Sequence, residues 1–398
     1  MALTPRRALF WLHLTAGVIA GTIIFFLAIT GACLAYERQI ITWADRAQQV
    51  SESGTRQSLP ALLESAKNYA HAPASAIVIY SDPRAAVEVT VGREPARVLL
   101  LNPYSAAVLG ESAPRMRSFF TKVTALHRWF GMQGANRTTA RAIKGAFTLA
   151  MLFLVCSGVI LWLPRKWTAQ HLSKSLFFRG NLQGRARDWN WHNVIGIWLA
   201  APLLIIALTG VIMAYPWAND LLYRLTGNPP PLRQAETSAR EIRSTAGQHH
   251  AHDDHAANTV PNVEELLSIA NEHVPGWRTI SLRLTPDAKS TVLQVDRGNG
   301  GRPDLRTQIT LSTASNDAPR VETFSSYNHG RQLRIWARFT HTGEAGGITG
   351  ETVAFAASIG AATLIFTGFS LALRRLRSKL SRRSEPSIRT IPAIKVSR

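Results

Sequence analysis

Apolar residues along this chain fall into two patterns of different period. Four runs, at roughly 9–36, 142–163, 193–216 and 351–373, are apolar all round. Each reaches the ~20 residues that a helix needs to cross a bilayer. The two long connections, 37–141 and 217–350, instead alternate apolar and polar positions. Alternation marks "AIVIYS", "AVEVTVG" and "ARVLLLN" in the first, and "TISLRLT", "TVLQVD" and "TQITLS" in the second. A period of two predicts half-buried strands. Ahead of each series stands an amphipathic helix, "LPALLESAKNYA" or "VEELLSIANEH". The expected fold is an α-helical membrane protein. Four transmembrane helices form a duplicated two-helix unit, with two small α+β outer domains, each a helix on an antiparallel sheet.

The spans and connections divide the chain into a first helix (9–36), a first outer domain (37–125), an outer histidine segment with the second helix (126–163) and a basic loop (164–191). A third helix (192–216), a second outer domain (217–340), an outer histidine segment with the fourth helix (341–373) and a basic tail (374–398) follow. The first span reads as a retained helix. Its apolar stretch from Leu14 to Tyr36 exceeds the roughly 7–15 residues of a secretory signal core, and no small-x-small cleavage site follows.

Charge sets the direction. The formal net charge is +20, which on a soluble protein would suggest nucleic acid. Here the basic residues flank apolar runs: Arg6 and Arg7 before the first, Arg165 to Arg187 between the second and third, Arg374 to Arg383 after the fourth. That distribution is a topology signal and not a nucleic-acid surface. It places both termini in the cytoplasm and both long connections outside, which in a bacterium is the periplasmic side of the inner membrane. Cys33 and Cys156 are the two cysteines, both inside apolar runs. With no Cys-x-x-Cys-His motif, covalent c-type haem and a cysteine zinc site are excluded.

An ungapped repeat links the first and third spans. Counting from His13, Gly17 lies at +4, Thr30-Gly31 at +17 and +18, and Tyr36 at +23; from His192 the same offsets reach Gly196, Thr209-Gly210 and Tyr215. The second and fourth spans match more loosely. His127 and His341 precede them, and Ser157-Gly158 and Thr367-Gly368 lie near their far ends. Separations from histidine to glycine are unequal, 31 residues against 27. Copies running in one direction are related by an axis along the membrane normal. That axis pairs His13 with His192 at the cytoplasmic face and His127 with His341 at the outer face.

Ionisable side chains inside spans are costly and call for a partner. Two pairs of neutral imidazoles, one near each face of a core ~30 Å thick, suit two non-covalent, bis-histidine b-type haems. Gly17, Gly31, Gly196 and Gly210 serve either a flat macrocycle or close helix packing. Arg128, beside His127, is placed to meet a propionate.

These residues carry a resemblance. "WHNVIGIWLAAPLLIIALTGVIMAYP", "LHRWFG", "HTGEAGG" and the "NPYSAAVLGE" turn resemble the PepSY-associated transmembrane helix family over nearly the whole chain, with the outer domains PepSY-like. The first outer turn reads Asn-Pro-Tyr-Ser-Ala where the family commonly has Asp-Pro-x-Thr-Gly. The resemblance implies a di-haem, iron-regulated inner-membrane reductase whose ligands correspond to His13, His127, His192 and His341. Its acceptor would be a ferric siderophore or other iron chelate, and its donor a quinone or cytoplasmic reductase. The alternative is a non-enzymatic PepSY membrane protein that binds peptides or peptidases, or assists metal uptake.

"GQHHAHDDHAA" (247–257) offers His249, His250, His252 and His255 with two aspartates. It is either a metal-gathering loop or a tolerant insertion. Arg331, Arg334 and Arg338 stand just before the outer histidine. They either attract an anionic chelate or shape the interface. No Gly-x-Ser-x-Gly, His-Glu-x-x-His, P-loop or dinucleotide fingerprint occurs, so a reductase must draw its electrons from a separate donor.

Overall fold

A computed structural model describes residues 4–384 apart from 46–49, 52–53, 93–95, 165–167, 169–172, 174, 232–262, 285–289 and 313–317. The histidine-rich stretch 247–257 lies outside the described residues. Two compact units emerge. One comprises Met1–Ala32, Ala146–Ala207 and Ala356–Arg398, the other Cys33–Gly145 and Leu208–Phe355.

Helices long and apolar enough to cross a membrane are α1 (Pro5–Leu34), which runs on through a break into α2 (Glu37–Asp45), and α5 (Asn136–Trp162). A third is α11 (Gly347–Ser384), which forms one apolar span with the turn before it. The third apolar run is not one straight helix. It forms α6 (Gly184–Trp198) and α7 (Ala200–Ala214), bent by 65° at Leu199. Pro202 explains the break: it has no N–H to donate, and its ring clashes with the carbonyl four residues back, at Trp198. His192 sits inside α6 at the same distance from its first residue as His13 from that of α1. A fourth span exists if the bent pair counts as one.

Within the first unit, α1 packs on α5 and α6 on α11. Ala28, Leu203, Ala357, Ala361 and Ala362 form its buried core. At one end Arg6 donates to the carbonyls of Leu161 (2.7 Å) and Leu163 (2.8 Å). Those are carbonyls at the end of α5, which its own ladder leaves unpaired. At the matching end of the other pair, buried Asp188 accepts from Ser370 at 2.6 Å. Arg375 lies over Phe10 and Trp11 at 4.9 and 4.8 Å.

The second unit is built on one sheet, not on two separate domains. The strands are β1 (Ala74–Tyr80), β2 (Val87–Val91), β3 (Arg97–Leu101), β4 (Val108–Glu111), β5 (Thr279–Arg283), β6 (Ser290–Asp296), β7 (Arg306–Ser312) and β8 (Arg320–Thr323). Their spatial order is β4-β3-β2-β1-β5-β6-β7-β8, with every neighbouring pair antiparallel. Each half of the repeat contributes a four-stranded meander, one strand more than alternation alone predicts. The halves join at β1–β5, where Ile77 pairs with Leu282, Val78 with Ser281, and Ile79 with Ile280. Buried Ile77 and Ile79 are the repeat counterparts of Ile280 and Leu282, so each residue meets its partner's equivalent. That is the self-complementary contact a two-fold axis demands.

Helices α3 (Leu59–Ala70) and α9 (Val263–His273) cover one face. Leu59, Leu62 and Ala66 on α3 match Val263, Leu266 and Ala270 on α9, and all six enter a single core with the inward strand residues. Ser58 caps α3 and His71 ends it in the left-handed region at φ 53°, so His71 terminates a helix.

Two further helices lead into spans. They are α4 (Pro114–Trp129) before α5 and α10 (His329–His341) before α11; α8 (Pro216–Leu225) follows α7. Between α10 and α11 the "HTGEAGG" turn is tight. Gly343 has φ 80°, and a Cβ there would overlap the Gly350 carbonyl. Both the positive φ and the close approach require glycine. Gly343→Ala is expected to cost about 1–3 kcal/mol, read as a lower thermal midpoint of the purified protein.

A polar clamp fastens this turn. Arg38 pairs with buried Glu351 at 3.0 Å and donates to the Asn299 carbonyl at 2.8 Å. Gln39 donates to the other Glu351 oxygen. Arg38 and Arg338 also lie near Glu344, each at 3.8 Å.

Candidate functional site

The four singled-out histidines fall at equivalent places in the duplicated structure. His13 lies on α1 and His192 on α6, both half-buried in the first unit. His127 and His341 lie in the last turns of α4 and α10, each just ahead of a span. The unequal spacing noticed in the sequence is taken up mostly within the helices. Six residues separate α4 from α5 and five separate α10 from α11, so the connections account for one residue of the difference.

Contacts around His13 and His192 agree atom for atom. His13 Nδ1 lies 2.8 Å from Ser157 Oγ, and His192 Nδ1 lies 3.0 Å from Thr367 Oγ1. A Cβ on Gly158 would sit 3.5 Å from His13 Cε1; one on Gly368 would sit 3.5 Å from His192 Cε1. One turn along, a Cβ on Gly17 would meet Leu154 at 3.8 Å and one on Gly196 would meet Leu364 at 3.7 Å. The looser match between second and fourth spans is thus structurally close: Leu154, Ser157 and Gly158 serve α1 as Leu364, Thr367 and Gly368 serve α6.

The second unit repeats the motif at His341, whose Nδ1 lies 3.1 Å from Thr209 Oγ1. Thr209 opens the Thr-Gly pair at +17 from His192. Three of the hydroxyl–glycine pairs that mark the repeat in the sequence, at Ser157, Thr367 and Thr209, are therefore imidazole partners. Sequence reasoning weighed their glycines and passed over their hydroxyls; the recurring Ser/Thr before each glycine was the available signal.

The arginines singled out near His341 have distinct settings. Arg331 stacks on Tyr327 with its guanidinium carbon 3.5 Å from the ring centroid. Burial lowers the Arg334 pKa, an effect opposed by Tyr223. Arg338 lies over Phe339 at 4.6 Å and near Glu344. Beside His127, Arg128, Arg137 and Arg141 approach the Trp129 ring at 5.1, 6.0 and 5.6 Å.

Among the described residues no three His, Cys, Asp or Glu side chains gather in a metal-binding group. The recurrent chemistry is instead imidazoles with Nδ1 engaged by a neutral hydroxyl and a glycine beside the ring. This donor set fits axial ligation of a haem through Nε2, with a glycine and no bulkier residue against Cε1.

Comparison by sequence agrees with the architecture. No curated protein matches the chain. The family described as PepSY-associated TM region matches residues 10–375, and the chain, nearly all of it within that match, belongs to this family of multi-pass membrane proteins.

Proposed function

We propose that the protein is an inner-membrane di-haem b oxidoreductase that moves electrons from a cytoplasmic reductase or quinol to ferric iron on the periplasmic side. His13 and His192 would hold one haem, His127 and His341 the other. The carrying observation is the repeated imidazole–hydroxyl–glycine arrangement at His13 and His192. The agreement extends to the partner atom and to the glycine against each ring, as a ligand role shared by the two copies requires. The haem supplies a one-electron ferric/ferrous couple.

The chain's own residues do the rest. Imidazoles bind and orient; the neutral hydroxyls satisfy Nδ1 without adding charge inside a span; and apolar side chains exclude water. Basic flanks support a cytoplasmic side for both termini. Arg331 and Arg334, on the helix that ends in His341, favour an anionic ferric chelate such as a siderophore. One electron added to ferric iron weakens its hold on hard oxygen ligands and frees it.

The test is a visible spectrum of the purified protein. Bis-histidine b-type bands at about two haems per chain, reoxidised when a ferric siderophore is added to the reduced protein, are the expected result. A colourless preparation would sink the proposal and favour a peptide-binding or metal-uptake role.

A further inference from the structure

We propose that Ser157 and Thr367 are positioning residues that hold His13 and His192 in the tautomer protonated at Nδ1, leaving the Nε2 lone pair for a metal. This rests on the haem reading above and extends it to residues that touch only the imidazoles.

A hydroxyl has one proton to give and two lone pairs to receive with. Ser157 Oγ lies 2.6 Å from the Phe153 carbonyl and Thr367 Oγ1 lies 2.9 Å from the Thr363 carbonyl, each four residues back on its own helix. A carbonyl only accepts, so it takes the hydroxyl proton. The oxygen then faces the imidazole as an acceptor, and Nδ1 must carry the hydrogen. In a neutral ring the lone pair is then on Nε2.

Ser157 and Thr367 are both 2% exposed, and the backbone bond already satisfies their protons. Their remaining lone pairs are what the histidines use. A carboxylate would set the tautomer too, but with a charge that the span resists. The chemistry recurs with serine on α5 and threonine on α11, so the hydroxyl is what the two copies share.

An acceptor on Nδ1–H raises the electron density of Nε2, which stabilises the oxidised iron of a bound haem. Ser157→Ala and Thr367→Val, in full-length protein purified with its haems, are read by redox titration and by electron paramagnetic resonance of the oxidised state. Both variants are expected to keep about two haems per chain, to shift one midpoint potential upward and to move the low-spin signal of that haem. The other haem stays unchanged. Ser157→Thr and Thr367→Ser are expected to restore wild-type values. Unmoved potentials and signals in haem-loaded Ser157→Ala and Thr367→Val would overturn this proposal and leave the haem reading standing. Haem-free wild type would overturn both. If Thr367→Val lost its haem, retention in Thr367→Ser would assign the loss to the hydroxyl, whereas loss in both variants would overturn the assignment.

Discussion

His192→Ala is expected to reduce the haem content from about two per chain to about one. Non-covalent haem held by two axial imidazoles depends on both, and alanine removes one bond outright and leaves a gap beside Thr367. His13→Ala is expected to do the same, and the double variant no more, because the two residues act as one ligand pair. The remaining spectrum should belong to the haem held by His127 and His341, and replacing either of these should remove the complementary signal. Haem assay and difference spectra of each variant check this. Full retention in His13→Ala and His192→Ala would remove both from the ligand set.

Arg38→Ala should produce the largest loss of stability in the second unit. Glu351 has only 2% of its side chain exposed, and Arg38 is its ion-pair partner at 3.0 Å. Removing the guanidinium leaves a buried carboxylate with the Gln39 amide, and breaking such a pair costs about 3–5 kcal/mol. The sign is checked by a second change. Arg38→Ala with Glu351→Gln should be more stable than Arg38→Ala alone, because the orphaned charge has gone. Thermal unfolding of the three proteins measures this, and a double variant weaker than Arg38→Ala would show that the clamp acts through packing. Because the Arg38 site also fastens the Asn299 loop to the turn after His341, Arg38→Ala should loosen the outer ligand pair as well.

Much of the candidate site was legible in linear order. The offsets from His13 to Gly17, Thr30-Gly31 and Tyr36 recur from His192 because duplication preserves spacing, and spacing survives where apolar residues exchange freely. Alternation found three strands in each half. The fourth strands, Val108–Glu111 and Arg320–Thr323, are four residues each, too short for the pattern to stand out from a turn. Pro202 announced the bend at Leu199, but its apolar setting disguised it, since hydropathy does not register a missing N–H.

Periodicity and charge are local properties of the chain, so the sequence by itself determined the apolar helices, the strand-forming connections, the internal repeat and the histidines worth pursuing. Only the tertiary structure decided that the two outer halves share one eight-stranded sheet. Strands β1 and β5 are separated by some two hundred residues of chain, and no local pattern says which edge an open strand will meet. It also decided which atom each imidazole uses. Ser157, Thr367 and Thr209 become histidine partners through contacts 132 to 175 residues apart in sequence, set by helix packing and, at Ser157 and Thr367, by hydroxyls whose protons are committed to their own backbones.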